Sequence, residues 1–395
     1  LSLVRPATHL VLDAHGKVLS EERTWQWHHD PQSSLSYDQA VVEFHDLFEQ
    51  VLREQTQGKR LALPISGGLD SRCTVAVLGE REMDTSQNLY PFSYGYNMAS
   101  QELKIASRVA RSRGLALQKW TIPPYLFDQL GRVTASVEGL QDITQCRQAA
   151  VVDALGQNAD YVLAAHWGDV WLDDMGFLDG DDSLPQDTLA SKMAQKFTKK
   201  GSADLLKLFA HKLPADAESS LVEQIGEDLK ALDHIKEVDF KVKAWKTQEW
   251  SHRWTLASLK MYQACLFPVL PFYDQRLVDF FCRVPSQYVA GRRLQIDYLK
   301  RFAPDLAKIP WQKYDASLYN YQHFNTWLLP KRALKKAWRL LTNQKVIQRN
   351  WEVQFLNPQG RAGLQRWLLQ DGLKLHDLLK VGDVRALVED LYGLF

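Results

Sequence analysis

Leu61-Ala62-Leu63-Pro64-Ile65-Ser66-Gly67-Gly68-Leu69-Asp70-Ser71-Arg72 reads as a short apolar strand running into a Ser-Gly-Gly-Leu-Asp-Ser turn, with a helix continuing through Val75 to Leu78. Gly67 and Gly68 permit a tight turn with no Cβ in the way. Their N–H groups, with those of the first helical turn, can converge on one anion. Ser66 and Ser71 add hydroxyl donors. Asp70 repels a bare phosphate, so it makes sense as a ligand of Mg²⁺, the metal bridging it to the phosphates. The bland alternative is a plain Gly-Gly turn with a helix-capping aspartate. Chance alone gives this pattern in a chain of this length with odds on the order of one in a few thousand. Its position between strand and helix is the one that phosphate binding requires.

Outward from the loop, strands alternate with helices. Leu89 to Tyr94, Leu115 to Ile122 and Tyr161 to Ala165 read as further strands. Ser36 caps a helix whose apolar spacing runs through Val41, Phe44, Phe48, Val51 and Leu52 to Gly58. Ser100 to Arg113 form another helix, ended by Gly114, and helical patterns fill roughly 125–156. This alternation predicts βαβ units and a parallel sheet flanked by helices, an α/β fold. Ahead of it, Thr8 to Leu12 and Lys17 to Leu19 read as strands joined by a turn at His15-Gly16. Beyond about residue 185 the strand pattern disappears, and stretches broken by Pro268, Pro271, Pro285 and later prolines predict a helical C-terminal part.

Composition sets outer bounds. The 395 residues are 45% hydrophobic and 24% charged, with a formal net charge of +1. Such a chain can bury a sizeable core, and near-neutrality argues against a generic nucleic-acid binder. Cys73, Cys146, Cys265 and Cys282 form no CxxC pair. Neither a disulfide framework nor a zinc site is expected, and a reducing, cytoplasmic location is. No apolar run is long enough to span a bilayer, and no charged-then-apolar signal segment opens the chain. The first residue is not methionine, as expected of a fragment, a processed product or a trimmed chain. The basic stretch from Lys331 to Arg339 can contact an anionic partner. Leu334, Trp338 and Leu341 fall on one helical stripe, which favours instead a solvated face on an amphipathic helix.

The loop at 66–71 resembles the pyrophosphate loop of the N-type ATP pyrophosphatases, which cleave ATP between its α- and β-phosphates. Three later segments narrow the resemblance to the asparagine synthetase and β-lactam synthetase family. Leu89-Tyr90-Pro91-Phe92-Ser93-Tyr94-Gly95-Tyr96, followed by Ser100-Gln101-Glu102-Leu103, is similar to the family's second strand and helix, where the strand lines the adenine. Pro271-Phe272-Tyr273-Asp274 resembles its Pro-Phe-Leu-Asp segment. Ile309-Pro310-Trp311-Gln312-Lys313 is similar to its closing stretch, whose lysine contacts the phosphates. Arg5-Pro6 to Trp25-Gln26-Trp27 resembles the last hairpin of the family's glutaminase domain.

The resemblance implies an adenine nucleotide alpha-hydrolase-like fold in three parts: a remnant glutaminase-like hairpin over 1–30, an ATP-pyrophosphatase synthetase domain over 31–315, and a helical extension over 316–395. It implies ATP and Mg²⁺ as cofactors. Ser66, Gly67, Gly68, Leu69, Asp70, Ser71, Tyr94 and Ala165 would surround ATP, Asp70 and Asp169 would hold the metal, and Lys313 would be catalytic. The substrates would be a carboxylate and an amine acceptor, small molecule or peptide, with no nucleic acid and no membrane. A tRNA-modifying enzyme of the same superfamily and a non-catalytic nucleotide-binding descendant are the rival readings.

The chain also departs from the family. The glutaminase domain is absent apart from its last hairpin, so ammonia would come from a glutaminase domain or subunit elsewhere, or the amine from the substrate itself. At Ala164-Ala165-His166-Trp167-Gly168-Asp169 the family reads Ser-Gly-Glu-Gly-x-Asp. His166 falls on the glutamate thought to assist amine attack. It is therefore a candidate base or, alternatively, an idle loop histidine. Losing that acid suggests a substrate other than aspartate. Glu138 is the fallback base. The acidic run Asp173, Asp174, Asp179, Asp181 and Asp182 reads as a solvated loop, Trp167 and Trp171 as packing residues. Arg72, in place of a small residue, would touch either phosphate or a neighbouring carboxylate.

Overall fold

The computed structural model describes residues 4–79, 88–177, 184–198, 207–209, 217–341 and 349–393. Strands β1 (Thr8–Leu12) and β2 (Val18–Arg23) form the expected antiparallel hairpin. Ser36 then accepts from the Gln39 N–H while Gln39 reaches back to the Ser36 backbone, a capping box that starts helix α1 (Tyr37–Thr56). Gly58, at φ +70°, follows its end.

Strand β3 (Leu61–Pro64) enters the phosphate loop, and helix α2 (Asp70–Leu78) leaves it. β4 (Leu89–Gly95), α3 (Gln101–Ser112) and β5 (Gln118–Thr121) follow. β5 is shorter than expected, because Gly114 turns back at φ +66° and Leu115 N–H is spent on the Ala110 carbonyl at the end of α3. The region expected to be helical contains α4 (Leu130–Val137), two short 3₁₀ turns and α5 (Val152–Asn158). β6 (Tyr161–Leu163) then completes the strands expected from sequence.

One strand was not expected. β7 (Phe267–Val269) lies in the stretch that reads as helical and proline-broken. It pairs parallel with β6 and closes the sheet in the order β5-β4-β3-β6-β7. Pro268 has no N–H to donate, and it is tolerated because β7 is an edge strand.

The five-stranded sheet is entirely parallel and has helices on both faces, with a helical C-terminal part. Side-chain alternation along β3 explains the two layers. Leu61 and Leu63 face one apolar cluster, with Phe48 of α1 and Phe272. Ala62 faces the other, with Phe92, Val133 and Val162. The parallel pairing of β3 with β4 and with β6 brings the carboxyl ends of these strands to one edge, where open α/β sheets bind ligands.

The C-terminal helices close over the same edge. Gln354, on the short helix Asn350–Phe355, accepts from the N–H groups of Tyr125 and Leu126 at 2.8 and 3.0 Å and donates to the Pro123 carbonyl. Asn350 donates to Tyr125 Oη and to the Thr144 carbonyl. These buried amides tie residues 350–354 to the loop after β5. Cys73, Cys146, Cys265 and Cys282 are all free. Among the described residues no helix is long and apolar enough to cross a membrane.

Candidate functional site at the carboxyl edge of the sheet

The loop after β3 is tied by its own serines. Ser71 Oγ accepts from Ser66 N at 3.1 Å and lies 2.8 Å from Ser66 Oγ, which accepts from Gly68 N. The first bond of α2 runs from Cys73 N to Leu69 O. The N–H groups of Asp70, Ser71 and Arg72 therefore precede the helical ladder and form the positive end of α2.

Gly67 is required for close approach rather than for its φ. A Cβ there would collide with Gln312 Oε1 and stand 2.8 Å from Gln312 Cβ, and Gln312 N donates to Gly67 O at 3.2 Å. The segment carrying Lys313 thus sits on the phosphate loop across more than two hundred residues of chain. Arg72 holds it there. Its guanidinium, fully buried, donates to the carbonyls of Leu306, Ile309 and Pro310 at 3.2, 2.8 and 3.0 Å. It touches neither of the groups expected from sequence. Desolvation lowers its pKa to about 10, and the carbonyls at a helix end supply the negative partial charge.

A cleft of about 1790 Å³ opens beside this contact. Gly68 and Lys313 line it, with Gly95 at the end of β4, Tyr96 after it, Glu102 on α3, and Arg147. Lys313 is exposed, its Nζ 5.5 Å from the Trp311 ring and 5.3 Å from that of Tyr314. Arg147 lies 5.5 Å from the Tyr94 ring. Tyr94, then Tyr96 and Glu102, hold it protonated against the effect of burial. Glu102 is raised by burial and held down by Arg147.

A second group gathers at the end of β6. Gly168 is packed so tightly that a Cβ would come within 3.0 Å of Asp70 Oδ1 and 2.8 Å of Phe272 Cε2. The turn carrying half-buried Ala165 and exposed His166 and Asp169 is thereby held against Asp70. Burial raises the Asp70 pKa; Arg292 opposes this and Asp169 adds to it. Asp70 Oδ1 accepts from Arg292 Nη1 at 2.7 Å and from Gln295 Nε2 at 2.9 Å. Arg292, at φ +66°, also pairs with Asp173 at 3.3 Å, and Asp174 accepts from Gly291 N. Asp173 and Asp174 are therefore structural anchors rather than a solvated loop; Asp179, Asp181 and Asp182 lie outside the described residues.

Water reaches the His166 ring, yet the protein around it lowers its pKa, Asp169 opposing and Arg147 contributing. The shift favours the neutral imidazole. Trp167 adopts a left-handed conformation, φ +77°, rare for a bulky residue and typical of functional turns. Its Nε1 donates to Thr247 Oγ1, and Lys246 Nζ lies 5.5 Å from its ring. Trp171 is a packing residue, donating to Phe272 O and stacking on Phe281. Glu138 ion-pairs with Lys260. Sequence reasoning missed Arg147, Arg292, Gln295 and Gln312 as site residues. Arg292 follows Gly291 in a left-handed turn, a signal that the sequence does carry, whereas Arg147, Gln295 and Gln312 sit in no glycine-marked turn and are brought in by topology alone.

No family model matches the chain, and no curated protein matches it. Among solved structures, it is similar to an NH3-dependent NAD synthetase from Campylobacter jejuni subsp. jejuni, solved in complex with the nitrate ion. The similarity covers 58% of this chain and 95% of that one at 16% identity, with a TM-score of 0.25. A likeness this slight leaves the site's own residues to carry the functional reading.

Proposed function

We propose that the chain is an ATP-dependent carbon–nitrogen ligase of the asparagine synthetase type. It activates a carboxylate as an acyl-adenylate, releasing pyrophosphate, and passes the acyl group to ammonia or an amine, releasing AMP. One observation carries this reading: the 66–71 loop and the 311–313 segment meet, Gln312 N on Gly67 O at 3.2 Å, at the wall of a single large cleft. A serine-tied loop at a helix N-terminus suits a polyphosphate, and a lysine at the same wall suits charge that develops during its transfer.

In this reading the N–H groups of 66–71 hold the β- and γ-phosphates, and Tyr94 and Ala165 lie against the nucleotide. A carboxylate oxygen of the substrate attacks the α-phosphorus, and the bond to the bridging oxygen of pyrophosphate breaks. Lys313 and Arg147 supply positive charge at the cleft wall. The amine nitrogen then attacks the acyl carbon, the bond to AMP breaks, and neutral His166 takes the proton.

Asp70 and Asp169 are the residues that would hold Mg²⁺, which supplies charge neutralisation to the phosphates. Among the described residues no group of three or more His, Cys, Asp or Glu is placed to hold a metal. Two carboxylates beside a phosphate loop fit an ion that draws its other ligands from phosphate and water.

The test is product analysis with ATP, Mg²⁺ and a panel of carboxylates and amines. Wild type should release AMP and pyrophosphate in equal amounts, and Asp70→Asn should stay folded and lose that release. Products of ADP and phosphate, or an Asp70→Asn protein as active as wild type, would refute the reading.

A further inference from the structure

Helix Leu328–Leu341 is turned the wrong way for a helix that packs on its own protein. Its apolar stripe, expected inside, faces out: Leu334, Trp338 and Leu341 are 73%, 65% and 83% exposed, and Trp327, in the turn just before the helix, is 83% exposed. The three helical residues recur at spacings of four and three and share one face. Arg332 turns inward, where it donates to the Phe324 carbonyl at 2.9 Å and lies 4.7 Å from the Tyr314 ring.

The charge pattern says what covers this face. The helix sequence contains Lys331, Arg332, Lys335, Lys336 and Arg339, and no aspartate or glutamate occurs between Asp315 and Glu352. In a chain of net charge +1 this is a strong local excess of positive charge. Two copies pairing through the stripe would bring two basic rows together, a repulsive arrangement. A surface that is apolar below and anionic above satisfies both features. Tryptophan and leucine on one side and lysine and arginine beside them are the marks of a helix lying in a lipid interface. At 1.5 Å per residue the helix would lie along about 20 Å of bilayer surface.

We infer that helix Leu328–Leu341 docks the protein on an anionic membrane surface. Leu329, Arg332 and Ala333 of the same helix line the cleft, so docking through the outward stripe places a wall of the cleft one helix away from the bilayer. The inference does not depend on the reaction proposed above.

Flotation of the whole chain with vesicles tests it, using phosphatidylcholine alone or with about one third phosphatidylglycerol. The protein should float only with the anionic vesicles, and less at high salt. Leu334→Glu/Trp338→Glu should abolish flotation. Lys331→Glu/Lys335→Glu should weaken it at least ~25-fold, about fivefold for each cation removed. Both changes lie outside the proposed catalytic groups, and unchanged circular dichroism and thermal unfolding would establish that the variants fold. Equal binding to both vesicle types, binding to neither, or flotation indifferent to the variants would overturn the inference. So would a concentration-dependent dimer dissolved by Trp338→Glu, which would make a second copy the occupant, or capture by RNA without binding to vesicles.

Discussion

His166 carries a specific kinetic expectation. Its pKa is lowered from the ordinary 6.5, chiefly by desolvation. A base works in its neutral form, so acyl transfer should hold steady as pH drops through the ordinary histidine range. It should fall only below that, as pH passes the depressed value. His166→Ala should still make adenylate, slow its transfer ~10²–10⁴-fold, and remove that acid limb from the rate profile. Rapid-quench measurement of adenylate and product separates the two steps. A variant that transfers at the wild-type rate would make His166 a bystander. At this scale, residues marked by a motif were legible: Ser66 to Ser71, Asp169 and His166 follow strand ends, and the parallel pairing brings those ends to one edge. Arg292 and Gln295 were not: Gln295 belongs to an amphipathic helix whose pattern reports only burial, and Arg292 stands in the Gly291 turn just before that helix. Their partner, Asp70, lies more than two hundred residues away in sequence.

At the scale of elements, the phosphate loop and the lysine segment are coupled through Arg72. Replacing Arg72 with Leu would leave the Leu306, Ile309 and Pro310 carbonyls without their donor. The expected loss is about 2–4 kcal/mol of folding free energy, read from the denaturant midpoint. Adenylate formation should also slow by more than ATP binding weakens, since the lysine segment is positioned through these bonds. Arg72→Lys should recover only part of both, because one ammonium cannot reproduce the fork of a guanidinium. Equal stability in the Leu variant would show that the carbonyls find other donors. Lys313→Ala should lose most adenylate formation in a pyrophosphate-exchange assay and bind ATP only modestly more weakly, since its charge matters most in the transition state. Exchange at the wild-type rate would remove Lys313 from the mechanism. Helices α1 and α3 were legible from their spacing and ends, and α2 from its place after the Gly-Gly turn. β7 was not: three residues with a central proline resemble an irregular link, and only the open edge of β6 makes them a strand.

At the scale of the whole molecule, the parallel sheet could be read from alternating strands and helices, but the use made of residues 349–356 could not. Arg349, Asn350, Trp351 and Glu352 line the cleft opposite the loop, and the amides of Asn350 and Gln354 fix that wall to the body. Buried amide pairing has no sequence period, so nothing in the composition of this stretch announced it. The central claim is that the cleft holds ATP with its outer phosphates on residues 66–71. A crystal structure of the chain with Mg²⁺ and an α,β-methylene analogue of ATP tests it most directly. The β- and γ-phosphates should lie on the N–H groups of Ser66 to Ser71, with a metal between them and Asp70 and Asp169, and Lys313 turned toward the phosphates. A triphosphate bound away from that loop, or Arg292 still occupying Asp70 with no metal beside it, would contradict it.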